Sequence, residues 1–184
     1  MKKSLFGLLC LIALVAIACG STEKENVRKK AELGVKETIK QEVSDGIVTY
    51  TMKDAIMQKG EQTCLPVLVK NFNEIVSMQY TMKWNPAILK FVAVKVDDLK
   101  NMDVQNNFGI SRANTGVLTT SWYDPALKGV TLKDNSMAYQ VCFEAIAPGQ
   151  TSVEFGDKPT VREITNAGGK FFRMASRKAT VTVK

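Results

Sequence analysis

Residues 72–94 read FNEIVSMQYTMKWNPAILKFVAV, and their pattern decides the fold. Val76, Met78, Tyr80, Met82 and Trp84 fall on every second position, with Ser77, Gln79, Thr81 and Lys83 between them. Period 2 is the mark of a strand with one buried face. Asn85-Pro86 breaks the run, because proline has no backbone donor and pushes the residue before it away from helix. Leu89, Phe91 and Val94 then open a second apolar run. The Pro-x-x-Leu step after an aromatic strand end lets the chain leave one sheet and enter another.

Outward from this corner, short strands parted by turn residues continue in both directions, which predicts an all-β sandwich from residue 46 onward. On the N-terminal side, residues 47–57 read as a strand pair or one bent strand, and Gly60-Glu61 turns the chain. Leu65, Val67 and Val69 form one face of the next strand, and Pro66 requires that strand to run at an edge or carry a bulge. On the C-terminal side, residues 97–107 are polar and loop-like. Phe108 and Ile110 are expected inward on a short strand, and Asn114-Thr115-Gly116 signals a hairpin. Leu118, Thr120 and Trp122 are in phase on the strand that follows. Tyr139, Val141, Phe143 and Ala145 form another inward set. Pro148-Gly149 and Gly168-Gly169 turn the chain, and Ala179, Val181 and Val183 close it.

The N-terminus reads as an address. Lys2 and Lys3 precede an apolar run over residues 5–18, shorter than the ~20 residues a spanning helix needs. It ends Ala16-Ile17-Ala18-Cys19-Gly20, which resembles a bacterial lipobox. That resemblance implies a signal peptide over 1–18 and a diacylglycerol-bearing Cys19, anchored through its lipid chains to the outer membrane or surface of a Gram-negative cell. Residues 19–45 are dense in charge. Val27, Ala31, Val35, Ile39 and Val43 recur every four residues and so drift around a helix rather than forming one face. This predicts a charged, partly helical tether, with the folded domain occupying 46–184.

Several residue groups together resemble the cohesin-type domain: Gly60-Glu61-Gln62-Thr63-Cys64-Leu65-Pro66-Val67, Asn71-Phe72, the strand from Met78 to Trp84 with its Asn85-Pro86-Ala87-Ile88-Leu89-Lys90-Phe91 corner, Gly116-Val117-Leu118-Thr119-Thr120-Ser121-Trp122 and the terminal Thr180-Val181-Thr182-Val183. The resemblance runs over residues 47–184. It implies an antiparallel jelly-roll β-sandwich of about nine strands, in the carbohydrate-binding-domain superfamily, that uses one sheet face to hold a dockerin module. The partner is then a dockerin-like protein or, as the alternative, a glycan in polysaccharide utilisation. Cys64 and Cys142 both fall out of phase with the apolar set of their strands, and in the resembling fold those strands are neighbours. The resemblance therefore implies a Cys64–Cys142 disulfide, as an exported chain allows; two separate thiols are the other reading.

Chemistry is constrained by composition. The 184 residues include no His, which removes the commonest general base and metal ligand. No G-x-S-x-G elbow occurs, and the carboxylates Glu144, Glu154 and Asp157 show no spacing that enforces a glycosidase pair. Asp97, Asp98 and Asp103 match no calcium-ligand spacing. No enzyme, cofactor, metal or nucleic-acid role is expected. The formal charge is +7; Lys2 and Lys3 in the leader account for two of these charges, which leaves +5 on the rest. The binding candidates are the outward polar residues Ser77, Gln79, Thr81, Thr119 and Ser121, with Tyr123 as the exposed aromatic. Phe171 and Phe172, flanked by Lys170 and Arg173, form a second aromatic candidate, of which one ring points outward if the stretch is extended. Trp84 and Trp122 are in phase with the core.

Overall fold

The computed structural model describes residues 43–184, with side chains from Gly46 onward. The leader (1–18), Cys19 and nearly all of the tether (19–45) lie outside the described residues. Twelve strands and one short helix follow in order: β1 Val43–Thr51, β2 Ala55–Met57, β3 Gln62–Lys70, β4 Ile75–Lys83, β5 Leu89–Val96, α1 Val104–Asn107, β6 Phe108–Gly109, β7 Val117–Tyr123, β8 Ser136–Ala145, β9 Gly149–Gly156, β10 Glu163–Asn166, β11 Phe171–Arg177 and β12 Ala179–Val183.

Strand pairing builds two layers. One runs β6-β7-β4-β9-β12-β2 and the other β11-β1-β3-β8-β5. Short β10 joins them, pairing β4 on one side and β11 on the other. The inner faces meet through rings. Tyr50 of β1 lies 5.4 Å from Tyr80 of β4, Trp84 lies 5.1 Å from Phe143 of β8, and Phe108 of β6 lies 5.1 Å from Tyr139 of β8. The hydroxyls of Tyr80 and Tyr139 share a 2.7 Å hydrogen bond across the layers, and Tyr50 donates to Met78 Sδ at 2.9 Å. These three phenols are fully buried, and that burial disfavours the charged phenolate. It raises Tyr50 and Tyr80 well above the ordinary value and Tyr139 to about 12, where the bond to Tyr80 holds it lower than burial alone would.

The opening stretch forms as its alternation implies. Met78, Tyr80, Met82 and Trp84 are buried, while Gln79 and Lys83 are only partly covered. The corner after Trp84 carries the chain between layers. Asn85 Oδ1 accepts from Ala87 N at 3.0 Å, and Trp84 Nε1 donates to Leu89 O at 2.9 Å, so the indole braces the first residue of β5. Pro66 sits where the expectation requires. β1 pairs β3 only over residues 68–70, leaving that edge of β3 open at Pro66, and a register shift follows at Val67/Leu68.

Five expectations are corrected. The sandwich is mixed rather than purely antiparallel, because β1 runs parallel to β11 and β2 parallel to β12. Both chain segments cross from one layer to the other side by side. Asp54 latches the crossing, bonding Arg177 at 3.1 Å and Thr180 N at 2.8 Å. The strand number is twelve because β1/β2 and β11/β12 are each split by this crossing and β10 is an addition. Ile110 is 52% exposed rather than inward: β6 ends at Gly109, and the chain enters a turn and a 3-10 segment, Ala113–Thr115. Val76 is only half-buried while Ile75 is fully buried, since a bulge opposite Thr165/Asn166 shifts the phase there. The loop read over 97–107 also contains α1, whose first amides at Gln105 and Asn106 are capped by Asp103 Oδ1.

Candidate functional site

The candidate residues fall on one surface because register places them there. In an antiparallel pair, directly opposed residues project to the same face. Ser77 opposes Tyr123, Gln79 opposes Ser121, and Thr81 opposes Thr119, so β4 and β7 carry the six residues as three successive rungs. The structure brings the six residues that the alternation singled out together on the outer face of the first layer.

Their environments differ. Tyr123 is 61% exposed, Ser121 is exposed, and Ser77, Gln79 and Thr119 are half-buried. Thr81 is not available: it is fully buried. Its hydroxyl donates to Thr160 O at 2.9 Å and accepts from Thr160 N at 2.9 Å, so the 157–162 segment lies over it. The outward phase of Thr81 was legible, but the loop that closes over it belongs to a part of the chain about eighty residues away. Next to it, the Thr119 hydroxyl lies where a side chain on Gly109 would collide, so β6 can pair this close only with glycine there.

Residues that sequence reading did not assign complete the surface. β10 extends it sideways, with Glu163 opposite Gln79 and Thr165 opposite Ser77. Gln79 Nε2 donates to Glu163 Oε2 at 2.9 Å. Asn107 Nδ2 donates to Ser121 O at 2.9 Å and ties α1 to the β7 side. Among the aromatic pair, Phe172 packs on the core and Phe171 does not, so the two rings separate to opposite faces as their adjacency implies. Trp84 and Trp122 are core residues, 6% and 1% exposed. Both place Nε1 on a backbone carbonyl, Leu89 O and Lys100 O.

Cys64 and Cys142 are joined in a disulfide, directly opposed in the β3–β8 register. Asp97 accepts from Gln140 and Asp98 from the amide of Met137, so each is engaged locally. Among the described residues no group of three His, Cys, Asp or Glu is placed to hold a metal ion.

No protein-family model matches the chain, and no curated protein matches it by sequence. Solved structures do match. A type I cohesin from Clostridium thermocellum, solved as a cohesin–dockerin complex, superposes with a TM-score of 0.65 at 14% identity, over 79% of this chain and 99% of that one. This is a cohesin-type fold. The same fold is shared with a non-cellulosomal cohesin from the archaeon Archaeoglobus fulgidus, with a TM-score of 0.60 at 15% identity over 76% of this chain and 92% of that one. The seventh ScaB type I cohesin of Pseudobacteroides cellulosolvens gives 0.61 at 13% identity over 74% and 92%.

Proposed function

We propose that the protein is a non-enzymatic docking module that holds a dockerin-like protein on the outer face of β4 and β7. The observation that carries the reading is the register itself: Ser77, Gln79, Thr119, Ser121 and Tyr123 stand in successive opposed rungs on one face of a cohesin-type fold. That face is small and polar with one exposed ring, which suits a selective contact more than a large apolar anchor. The module sits at the envelope through a lipid on Cys19, with residues 19–45 as its tether. The test is affinity capture with the full chain against a panel of dockerin modules, beside a Tyr123→Ala/Ser121→Arg variant. Capture by the natural form and loss in the variant supports the reading; capture of no dockerin, or equal capture by both, overturns it. Metabolic labelling with palmitate checks the anchor, since Cys19→Ser must abolish incorporation.

The glycan alternative has its own support. Tyr123 stands 61% exposed beside hydroxyl and amide side chains, the combination of apolar ring and converging polar groups that binds sugars. Retention of polysaccharide on a native affinity gel, lost in Tyr123→Ala, checks it.

A further inference from the structure

One transverse row of the outer surface crosses four strands. Tyr123 on β7, Ser77 on β4, Thr165 on β10 and Phe171 on β11 are consecutive register partners. Three inter-strand steps separate the two rings by about 14 Å. Between them the floor is two short hydroxyl side chains. The adjacent row adds Ser121, Gln79 and Glu163. At the β11 end the row opens into a cleft of about 350 Å³ lined by Arg162, Glu163, Phe171, Phe172 and Arg173. The ion pairs among the described residues are Lys90–Glu144 and Arg177–Asp54, so neither arginine of the cleft has one. Glu163 is the one carboxylate there, and an oxygen of it already accepts from Gln79.

We propose that this row binds an acidic polysaccharide, a chain of pyranose units carrying carboxylates, with its uronate groups at Arg162 and Arg173. The proposal rests on the glycan reading of this face and names its substrate class. A pyranose presents a C–H face that stacks on a ring and a rim of hydroxyls that needs partners; the row supplies a ring at each end and hydroxyls between. A guanidinium grips a carboxylate with two parallel N–H bonds, which a neutral sugar cannot use. Two unpaired guanidinium groups against one engaged carboxylate leave the cleft a positive excess. The rings are separated by polar side chains instead of forming one apolar patch, which fits a ribbon-like ligand lying across the strands.

The experiment uses the full chain and three probes: oligogalacturonate, a neutral xylo-oligosaccharide of the same length, and poly-glutamate. Affinities are measured by calorimetry at two salt concentrations for the natural sequence, Phe171→Ala, Tyr123→Ala and Arg162→Gln/Arg173→Gln. All four positions reach the surface, and circular dichroism verifies the fold of each variant. The expected result is binding of oligogalacturonate, weakened roughly tenfold by either ring deletion and reduced to the level of the neutral sugar, with loss of salt dependence, by the arginine pair. Equal affinity for the neutral sugar, or an undiminished arginine variant, overturns the acidic assignment and leaves the glycan reading standing. Equal affinity for poly-glutamate overturns it as well, since charge alone is then being read. Binding of neither sugar overturns both.

Discussion

Removing the Cys64–Cys142 disulfide tests how much of this domain's stability lies in its unfolded state. The two residues are already opposed in a strand pair that runs from Gln62 to Val69, so the native backbone holds them together without the covalent bond. The bond acts mainly on the unfolded chain. It closes a loop with a sequence separation of 78. The chain-entropy relation gives a stabilisation of about 4.5 kcal/mol for a loop of that length, a large share of the ~5–15 kcal/mol total of an ordinary domain. Cys142 is buried and Cys64 partly so, and alanine at both sites adds roughly 1 kcal/mol of lost burial. The perturbation is the double variant Cys64→Ala/Cys142→Ala. The assay is urea unfolding followed by fluorescence of Trp84 and Trp122, both buried and so both reporters of the core. With a slope of ~2 kcal/mol/M the midpoint falls by about 2.5–3 M, and the slope itself rises because the unlinked chain exposes more surface. A midpoint shift below about 0.5 M with an unchanged slope refutes the reasoning, for then the unfolded ensemble was never constrained by the bond.

Three further perturbations follow from the geometry. Tyr50, Tyr80 and Tyr139 are neutral in the fold with raised affinities for their protons, so their contribution is intact below the unfolded value near 10 and is lost as pH rises through the folded values; for Tyr139, held at about 12, roughly 2–3 kcal/mol disappears by that pH, and denaturant midpoints measured across the alkaline range must fall accordingly. Thr81→Val keeps the volume but deletes both bonds to the Thr160 backbone, which costs about 1–3 kcal/mol and speeds hydrogen exchange at the Thr160 amide. Gly116 holds φ +78° with its missing side chain aimed at the Trp84 carbonyl, so Gly116→Ala destabilises by more than about 1 kcal/mol in thermal unfolding, and an unchanged melting temperature refutes the close approach.

What could be read in advance divides along a physical line. A strand buried on one face writes its phase into the sequence, so Met78, Tyr80, Met82 and the inward set of β8 were legible, as was the outward phase of Cys64, Cys142 and Tyr123. Proline chemistry made the Asn85-Pro86 corner and the open edge at Pro66 legible for the same local reason. Phase alone does not say what lies above an outward residue. Thr81 and Thr119 are indistinguishable in pattern, yet one is sealed beneath the 157–162 segment and the other borders a glycine on β6. Ile110 misled because the alternation it extends stops one residue earlier, where β6 ends. The parallel pairs were invisible because direction is a property of the crossover at Asp54, not of either strand.

The same line explains why the candidate surface was half legible. The β4–β7 half is written in two long alternating runs. The other half depends on β10, four residues long, of which Ile164 alone is fully buried and so supplies no period to detect. Yet β10 is what joins the layers, and by pairing β4 on one side and β11 on the other it carries the β4–β7 face two strands further, as far as Phe171 and the two arginines. A two-strand face offers one ring and a few hydroxyls; the four-strand face offers a second ring and a charged cleft. On the proposed surface, selectivity is therefore set by a strand of only four residues. Replacing Ile164, which anchors β10 to the core, perturbs ligand choice through Phe171 and Arg173 even though Ile164 itself touches no solvent.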